Sequence, residues 1–240
     1  MRVHSPQSTV HGSAWRVLID EARSAAGHMA YDERLAREDT LTVRFFRWDP
    51  PAISLGFKQP LPAWLNPFDL RPSTFDLVER PTGGGIAFHG SDVSFAVVLP
   101  RTDDRSPRSI MTAICGSAQH LCASYGIEAT TLLEQPGTER ITYCLLQPSS
   151  YAVLIGDRKV AGLALRRYPQ SWLIQGSLLA RPLPQPLRSA LPIEVVERLD
   201  CRAVSLEQAA GCPPSEPQVI DRWAAHWSMW WDEVRYVQTR

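Results

Sequence analysis

No apolar run in the 240 residues approaches the roughly 18 needed to cross a bilayer, so no transmembrane helix is expected. The opening Met-Arg-Val-His-Ser-Pro-Gln-Ser lacks the apolar core of a secretory signal. Excess charge of either sign is also missing. Lys plus Arg number 25 and Asp plus Glu number 25, which leaves no electrostatic footprint for nucleic acid or a membrane surface. The five cysteines, Cys115, Cys122, Cys144, Cys201 and Cys212, form no Cys-x-x-Cys pair. An odd count without that spacing fits reduced thiols better than a disulfide framework. Neither phosphate-binding glycine signature, Gly-x-x-x-x-Gly-Lys-[Ser/Thr] or Gly-x-Gly-x-x-Gly, is present. No internal repeat or low-complexity tract interrupts the chain. These absences point to a cytoplasmic protein with no nucleic-acid, membrane or metal partner.

What is present is a mixed pattern of strands and helices. A chain of this length buries a substantial core without staples, as one large domain or two small ones. Residues 1–12 read as a polar, poorly ordered lead-in. Apolar-polar alternation predicts strands over residues 15–19, 41–48, 52–56, 75–78, 86–89 and 93–99, then 129–133, 150–155, 159–166 and 171–179. The last two are expected to pair. Helical spacing predicts helices over residues 25–37 and 107–125. The second has Ser106 as N-cap, Pro107 at its first position and Gly126 as its stop. Cys115 and Cys122 sit on its apolar face as core thiols, and His120 falls off any ligand pattern. Residues 60–73, with four prolines, read as an irregular surface excursion. Pro182, Pro184 and Pro186 end the sheet region. Short helices near residues 193–199 and 205–210 precede a longer one from Glu216. Its Trp223, Trp227, Trp230 and Trp231 form a face that docks onto the sheet.

Two stretches carry chemistry. Residues 79–100 hold three consecutive glycines, Gly83, Gly84 and Gly85, preceded by Arg80, Pro81 and Thr82 and followed by His89. Glycines permit a tight turn and close approach of a ligand, and successive free N–H groups form a nest for an anion or polarised carbonyl. The same residues also suit a plain glycine-rich hairpin turn. Residues 143–167 hold Cys144, a Pro148-Ser149-x-Tyr151 run, the turn signal Gly156-Asp157, and Lys159, the only lysine in the Arg-rich second half. A lysine at a strand start is ordinarily solvated. Cys144 fits either a nucleophilic thiol or a buried strand cysteine.

Arg-Pro-Thr-Gly-Gly-Gly followed by His89 resembles the Arg-Arg-x-[Ser/Thr]-Gly-Gly-Gly-x-x-x-His-Asp loop of the lipoate–protein ligase A, octanoyltransferase and biotin protein ligase superfamily. Glu79 takes the first Arg position and Gly90 the Asp position. Met29-Ala-Tyr-Asp-Glu-Arg-Leu35 resembles the family's Met-Ala-x-Asp-Glu-x-Leu helix, though alone it reads as ordinary packing. Residues 41–59, through Pro50-Pro51, Ser54-Leu55-Gly56 and Gln59, are similar to the family's acyl-pocket segment, and equally suit a strand pair closed by a diproline turn. Gly-Asp-Arg-Lys-Val-Ala-Gly resembles the family's lysine segment, with Asp157 at the glycine spacing and Leu163 in place of a small Ser. Gln175 stands where the family often has His. Cys144 with Pro148, Ser149 and Tyr151, fifteen residues before Lys159, resembles the cysteine-dependent octanoyltransferases, with Leu145 for Phe and Ala152 for Glu.

The resemblance implies an α/β (α+β) fold, a mixed and largely antiparallel sheet flanked by helices. One catalytic domain over residues 1–240 is expected, with helices of residues 190–240 packing on the sheet and no separate accessory domain. It implies transfer of an octanoyl or lipoyl group to a lysine of a lipoyl-accepting domain, of the glycine cleavage H protein or dehydrogenase E2 type. Acyl carrier protein is the implied donor. Cys144 and Lys159 are then catalytic, and Arg80, Thr82, Gly83, Gly84, Gly85, His89, Gly56, Gln59 and Gly162 bind the acyl substrate. A transferase needs no cofactor. Two other classes stay open: a lipoate ligase using ATP and Mg with free lipoate or octanoate, and a non-catalytic lipoyl-binding subunit. Biotin ligation does not share the Cys144 and Lys159 arrangement.

Overall fold

The computed structural model describes residues 2–4, 15–38, 40–65, 75–103, 105–134, 141–211 and 214–238. The first half contains β1 (Arg2–His4), β2 (Arg16–Ile19), α1 (Ala25–Leu35), β3 (Thr42–Phe46), β4 (Ala52–Leu55), β5 (Asp76–Glu79), β6 (Ala87–His89) and β7 (Asp92–Pro100). The second half adds α2 (Pro107–Ala123), β8 (Thr130–Leu132), β9 (Ala152–Ile155), β10 (Arg158–Arg167) and β11 (Ser171–Leu179). It ends in α3 (Gln185–Arg188), α4 (Ile193–Arg202), α5 (Leu206–Ala210) and α6 (Glu216–Gln238).

The strands form two sheets. The larger runs β1-β2-β3-β7-β11-β10-β9-β8 and the smaller β5-β4-β6. Pairing is antiparallel except for β2 with β3 and β4 with β5, in keeping with the mixed, largely antiparallel sheet expected. Strand β7 lies centrally and is buried along nearly all its length, which explains its almost continuous apolar sequence. Its two faces divide the core. Val93, Phe95, Val97 and Leu99 face one cluster with α2 and α6, whereas Ala96 and Val98 join α1 on the other side. Side chains alternate across a strand, so one β7 sequence serves both layers.

Helix α2 begins at the Ser106 cap, whose hydroxyl accepts the Ser109 N–H, with Pro107 in its first turn. Gly126 follows its end with a positive φ of 73°. Helix α6 docks through Trp223 and Trp227, with Trp223 5.3 Å from the Phe45 ring and 5.2 Å from Phe95. Full burial of such side chains contributes about 1.5–3 kcal/mol each. Trp230 and Trp231 lie within α6, but their side chains fall outside the described residues.

Two local readings change in three dimensions. Strands β3 and β4 do not pair across Pro50-Pro51, since they belong to different sheets. Neither do β5 and β6 form a hairpin around the glycines, because both flank β4. The proline run after β11 ends the sheet region, as expected, and Pro186 sits in the first turn of α3, where a missing N–H removes no helical bond. Arg2–His4 pairs with β2, and residues 5–12 of the expected lead-in and residues 66–73 of the expected surface excursion lie outside the described residues. Among the described residues, no helix is long and apolar enough to cross a membrane.

Candidate active site

A cavity of about 320 Å³ opens between the smaller sheet and the β10–β11 face of the larger one. Phe46, Trp48, Ala87, Phe95, Leu145 and Leu163 make much of its wall apolar. The glycine loop closes one side. Gly84 has φ of 92°, a left-handed conformation open to glycine at little cost. A Cβ on Gly85 would stand 2.6 Å from the Thr142 carbonyl oxygen, so only glycine lets the segment before Cys144 lie against the loop. That segment is fastened by Ile86 N–H to Thr142 O (2.7 Å) and Cys144 N–H to Ile86 O (2.8 Å). Cys144 therefore sits in a turn at the cavity wall, half-buried, and not inside a strand.

Lys159 reaches the same wall from β10. The strand is irregular there, with a register shift between Lys159 and Ala161 that interrupts the regular alternation. Its carbonyl accepts the Val204 N–H at 3.0 Å, so the chain after α4 braces the lysine backbone. The side chain crosses Gly162, where a Cβ would meet Lys159 Cε at 2.9 Å. With 4% exposure, Lys159 is not the solvated residue that strand-start lysines usually are. Its ammonium donates to the Cys144 carbonyl oxygen at 2.6 Å and to Ser149 Oγ at 2.5 Å. Burial pulls its pKa below the ordinary lysine value, opposed by the Cys144 and Cys115 thiols.

The cation in contact with the sulfur is Arg80. Its Nη2 lies 3.5 Å from Cys144 Sγ and donates to the carbonyls of Gly83 (2.8 Å) and Gly85 (2.7 Å). The Cys144 thiol itself donates to Gly85 O at 3.3 Å. On its other arm, Arg80 Nη1 donates to the Ser54 carbonyl and hydroxyl oxygens, both at 3.1 Å. Ser54 Oγ bonds His89 Nε2 (2.8 Å), whose Nδ1 bonds Asp92 Oδ2 (2.8 Å). Trp48 stacks on His89 at 4.2 Å between ring centroids and donates its indole N–H to Ser94, which donates to Asp92. Burial alone pushes the Asp92 carboxyl up, but the imidazole and the donors from His89, Gly90 and Ser94 outweigh it and hold the pKa down. Asp92 thus supplies beside His89 the carboxylate that Gly90 does not.

A second buried network reaches the cavity from α1. Arg44, fully buried, donates to Asp20 Oδ2, Asp32 Oδ1 and His28 Nδ1, each at 2.5 Å. Asp32 Oδ2 accepts from Gln175 Nε2 (2.6 Å), and Gln175 Oε1 accepts the Thr82 hydroxyl (2.8 Å). Helix α1 is therefore more than packing, because its Asp32 orients a cavity residue and, through it, the start of the glycine loop.

Of the residues singled out in the sequence, Arg80, Gly84, His89, Cys144, Lys159 and Gly162 line the cavity together. Thr82, Gly85 and Gly56 stand behind it. A Cβ on Gly56 would lie 2.0 Å from the Gly84 carbonyl oxygen, so Gly56 backs the loop. Gly83 lies at the loop's open side with nothing near its Cβ direction. Gln59 belongs to the turn after Gly56, where its N–H donates to Gly56 O, and does not reach the cavity wall. Ser54, Asp92, Ser94 and Asp32 were not named as site residues from the sequence. Ser54, in Ser54-Leu55-Gly56, and Asp32, in the Asp-Glu of α1, lay within motifs that carried a signal; Asp92 and Ser94 did not.

Known proteins resemble this chain in sequence and fold. Octanoyltransferase LipM of Symbiobacterium thermophilum is 29% identical over 232 residues, covering 88% of this chain and 84% of that protein. LipM of Kyrpidia tusciae is 29% identical over 226 residues, covering 85% and 82%. Among solved structures, a lipoate-protein ligase A bound with ATP superposes with a TM-score of 0.71 at 20% identity, over 90% of this chain and 84% of that one. The fold is thus that of lipoate ligase catalytic units. The family model of the lipoyl protein ligase A/B catalytic domain matches residues 24–228, from the cap of α1 into α6, and the chain belongs to that family.

Proposed function

We propose that the chain is an acyltransferase that attaches an octanoyl or lipoyl group to a specific lysine of a lipoyl-accepting domain, through a thioester on Cys144. The observation that carries this reading is the Cys144 thiol, set at the wall of a largely apolar cavity beside the glycine loop and a buried lysine. The relatives named octanoyltransferase support the reaction class.

The Cys144 thiolate attacks the thioester carbonyl of an acyl carrier protein adduct. Collapse of the tetrahedral intermediate forms the enzyme thioester and expels the carrier thiolate, which takes a proton. The acceptor lysine, as a free amine, then attacks that thioester, so an amide forms and the Cys144 thiol is restored. Nothing is oxidised or reduced, and the driving force comes from the existing thioester. Backbone N–H groups of residues 83–85, with Lys159, oppose the developing oxyanion. One such donor is worth about 3 kcal/mol. Arg80, Thr82, His89, Gly56, Gln59 and Gly162 shape or back the acyl site in this reading, in the cytoplasm, within one catalytic domain of residues 1–240.

An acceptor of the dehydrogenase E2 type is favoured by a structural neighbour, a bi-partite lipoate protein ligase from Thermoplasma acidophilum described with its E2 lipoyl domain (TM-score 0.68, 18% identity, 92% of this chain and 83% of that one). A second reading, ATP-dependent ligation of free lipoate or octanoate, is favoured by the ATP-bound neighbour. Two assays with a lipoyl domain as acceptor separate them: octanoyl-carrier protein without ATP, and free octanoate or lipoate with ATP and Mg. Modification in the first supports the transferase. Modification only in the second overturns it and leaves Cys144 a bystander.

A further inference from the structure

We propose that Arg80 is itself a catalytic residue, the fixed positive charge that stabilises the Cys144 thiolate, held at the sulfur by a chain through Ser54, His89 and Asp92. This rests on the Cys144 thioester reading above and assigns the thiol's counter-charge within it. By resemblance, Arg80 belongs among the acyl-binding residues and Lys159 is the natural helper of the thiol. The geometry divides the work differently. The Lys159 ammonium is directed to the Cys144 carbonyl and to Ser149, whereas the guanidinium of Arg80 stands 3.5 Å from the sulfur. Both groups meet beneath Gly84, where a Cβ would be 3.0 Å from Arg80 Nη2 and 3.5 Å from Cys144 Sγ.

Two effects compete at this thiol. Its bond to Gly85 O at 3.3 Å favours the protonated form. That same carbonyl already accepts from Arg80 Nη2 at 2.7 Å, which leaves it a poorer acceptor for the thiol. The two hydrogens of Nη2 are shared among the Gly83 and Gly85 carbonyls and Cys144 Sγ, so the sulfur receives a long, shared hydrogen bond and the guanidinium's charge. Arg80 is 7% exposed, and solvent screens that charge weakly. Arginine also keeps its proton at any working pH, whereas burial pulls the pKa of Lys159 down.

The outer arm explains why the guanidinium stays in place. Arg80 Nη1 bonds both oxygens of Ser54, His89 bonds Ser54 Oγ, and Asp92 fixes His89. On ionisation the thiol proton leaves to solvent and a neutral Arg80–Cys144 ion pair remains. When the thiolate attacks, its charge passes to the carbonyl oxygen and then to the leaving thiolate.

The test needs no acyl donor. Iodoacetamide reacts with the thiolate, and peptide mass spectrometry reads the adduct on Cys144. At pH 7, Arg80→Met is expected to slow that alkylation at least tenfold, while the exposed Cys201 in the same digest reacts at its wild-type rate. A wild-type rate at Cys144 in Arg80→Met overturns the assignment. Because Arg80 also braces the loop, the wild-type protein offers a measurement independent of folding. A fixed cation at the sulfur should raise the rate with anionic iodoacetate relative to neutral iodoacetamide, severalfold above the ratio for a neutral cysteine peptide. A ratio no higher than the peptide's sinks the proposal. Normal alkylation of Arg80→Met together with lost acyl transfer would reject Arg80 and keep the transferase. The expected alkylation pattern in a protein that transfers nothing would do the reverse.

Discussion

The ammonium of Lys159 lies 2.6 Å from the backbone carbonyl oxygen of Cys144, fifteen residues earlier in the chain. One strand residue thereby holds the turn that presents the thiol, and Ser149 completes its coordination. Replacing Lys159 by Met keeps the stem and leaves a half-buried carbonyl and hydroxyl without their donor. Lys159→Arg keeps the charge but brings a larger planar group over Gly162 into a role that a point charge fills. Both variants should lose at least ~100-fold in kcat, the scale of one lost electrostatic donor. Thermal unfolding, followed in parallel, should show both still folded. Turnover at the wild-type rate in either variant would make Lys159 purely structural.

Cys144 gives the most direct readout. After incubation with octanoyl-carrier protein, mass spectrometry should find one added acyl group on the peptide containing Cys144. Cys144→Ala should transfer nothing. Cys144→Ser should be crippled as well, because a hydroxyl ionises far less than a thiol at neutral pH. The buried Cys115 and Cys122, both pushed up to about 12 by burial, should stay unmodified in the same digest.

The glycines near the loop should separate by position. Gly83→Ala meets nothing within 4 Å and needs no left-handed backbone, so its activity should stay within about threefold of wild type by kcat/KM. Gly56→Ala places a methyl 2.0 Å from the Gly84 carbonyl oxygen and must displace the loop. Its kcat/KM should fall about 100-fold, as misplacement of roughly an ångström does. Equal activities in the two variants would mean that the loop's position does not matter to the reaction.

Much of this was legible in the sequence, for reasons that also mark the limit. Alternation gave the strands, and the Ser106, Pro107 and Gly126 punctuation gave α2, because those signals are local. The glycine loop, Cys144 and Lys159 were found by motif and spacing. What no local pattern carries is which elements become neighbours. Arg80 meets Cys144 across 64 positions, and Gln175 meets Asp32 across 143. Ser54 lies in an ordinary strand pattern, and its bond to His89 exists only because β4 and β6 pair. The division of β3 and β4 between two sheets was hidden for the same reason, since a diproline corner looks alike in either case.

The cluster under the cavity makes a pH prediction with a definite sign. His28 receives a hydrogen bond from Arg44 on Nδ1 and is 2.7 Å from the Arg47 carbonyl through Nε2. That pattern requires a neutral ring with its proton on Nε2. Burial first, and the Arg44 charge second, lower its pKa from 6.5 to about 4. Above pH 6.5 the ring is neutral folded or unfolded, and its contribution is fully present. As pH falls from there toward 4, the unfolded chain takes up a proton that the folded protein refuses. Stability is therefore lost on acidification, by roughly 3 kcal/mol once both states are protonated. Asp32, raised by burial in the same cluster, works in the opposite direction at pH above its ordinary value of 3.8, within the same window, and it is present in both proteins compared. His28→Gln should cost about 1–3 kcal/mol at pH 7.5, where the imidazole's bonds are only partly replaced. Between pH 6.5 and 4 its urea midpoint should then fall less steeply than the wild-type midpoint, because no ring remains to titrate. Parallel pH curves for the two proteins would show that His28 is not the group that the folded cluster keeps neutral.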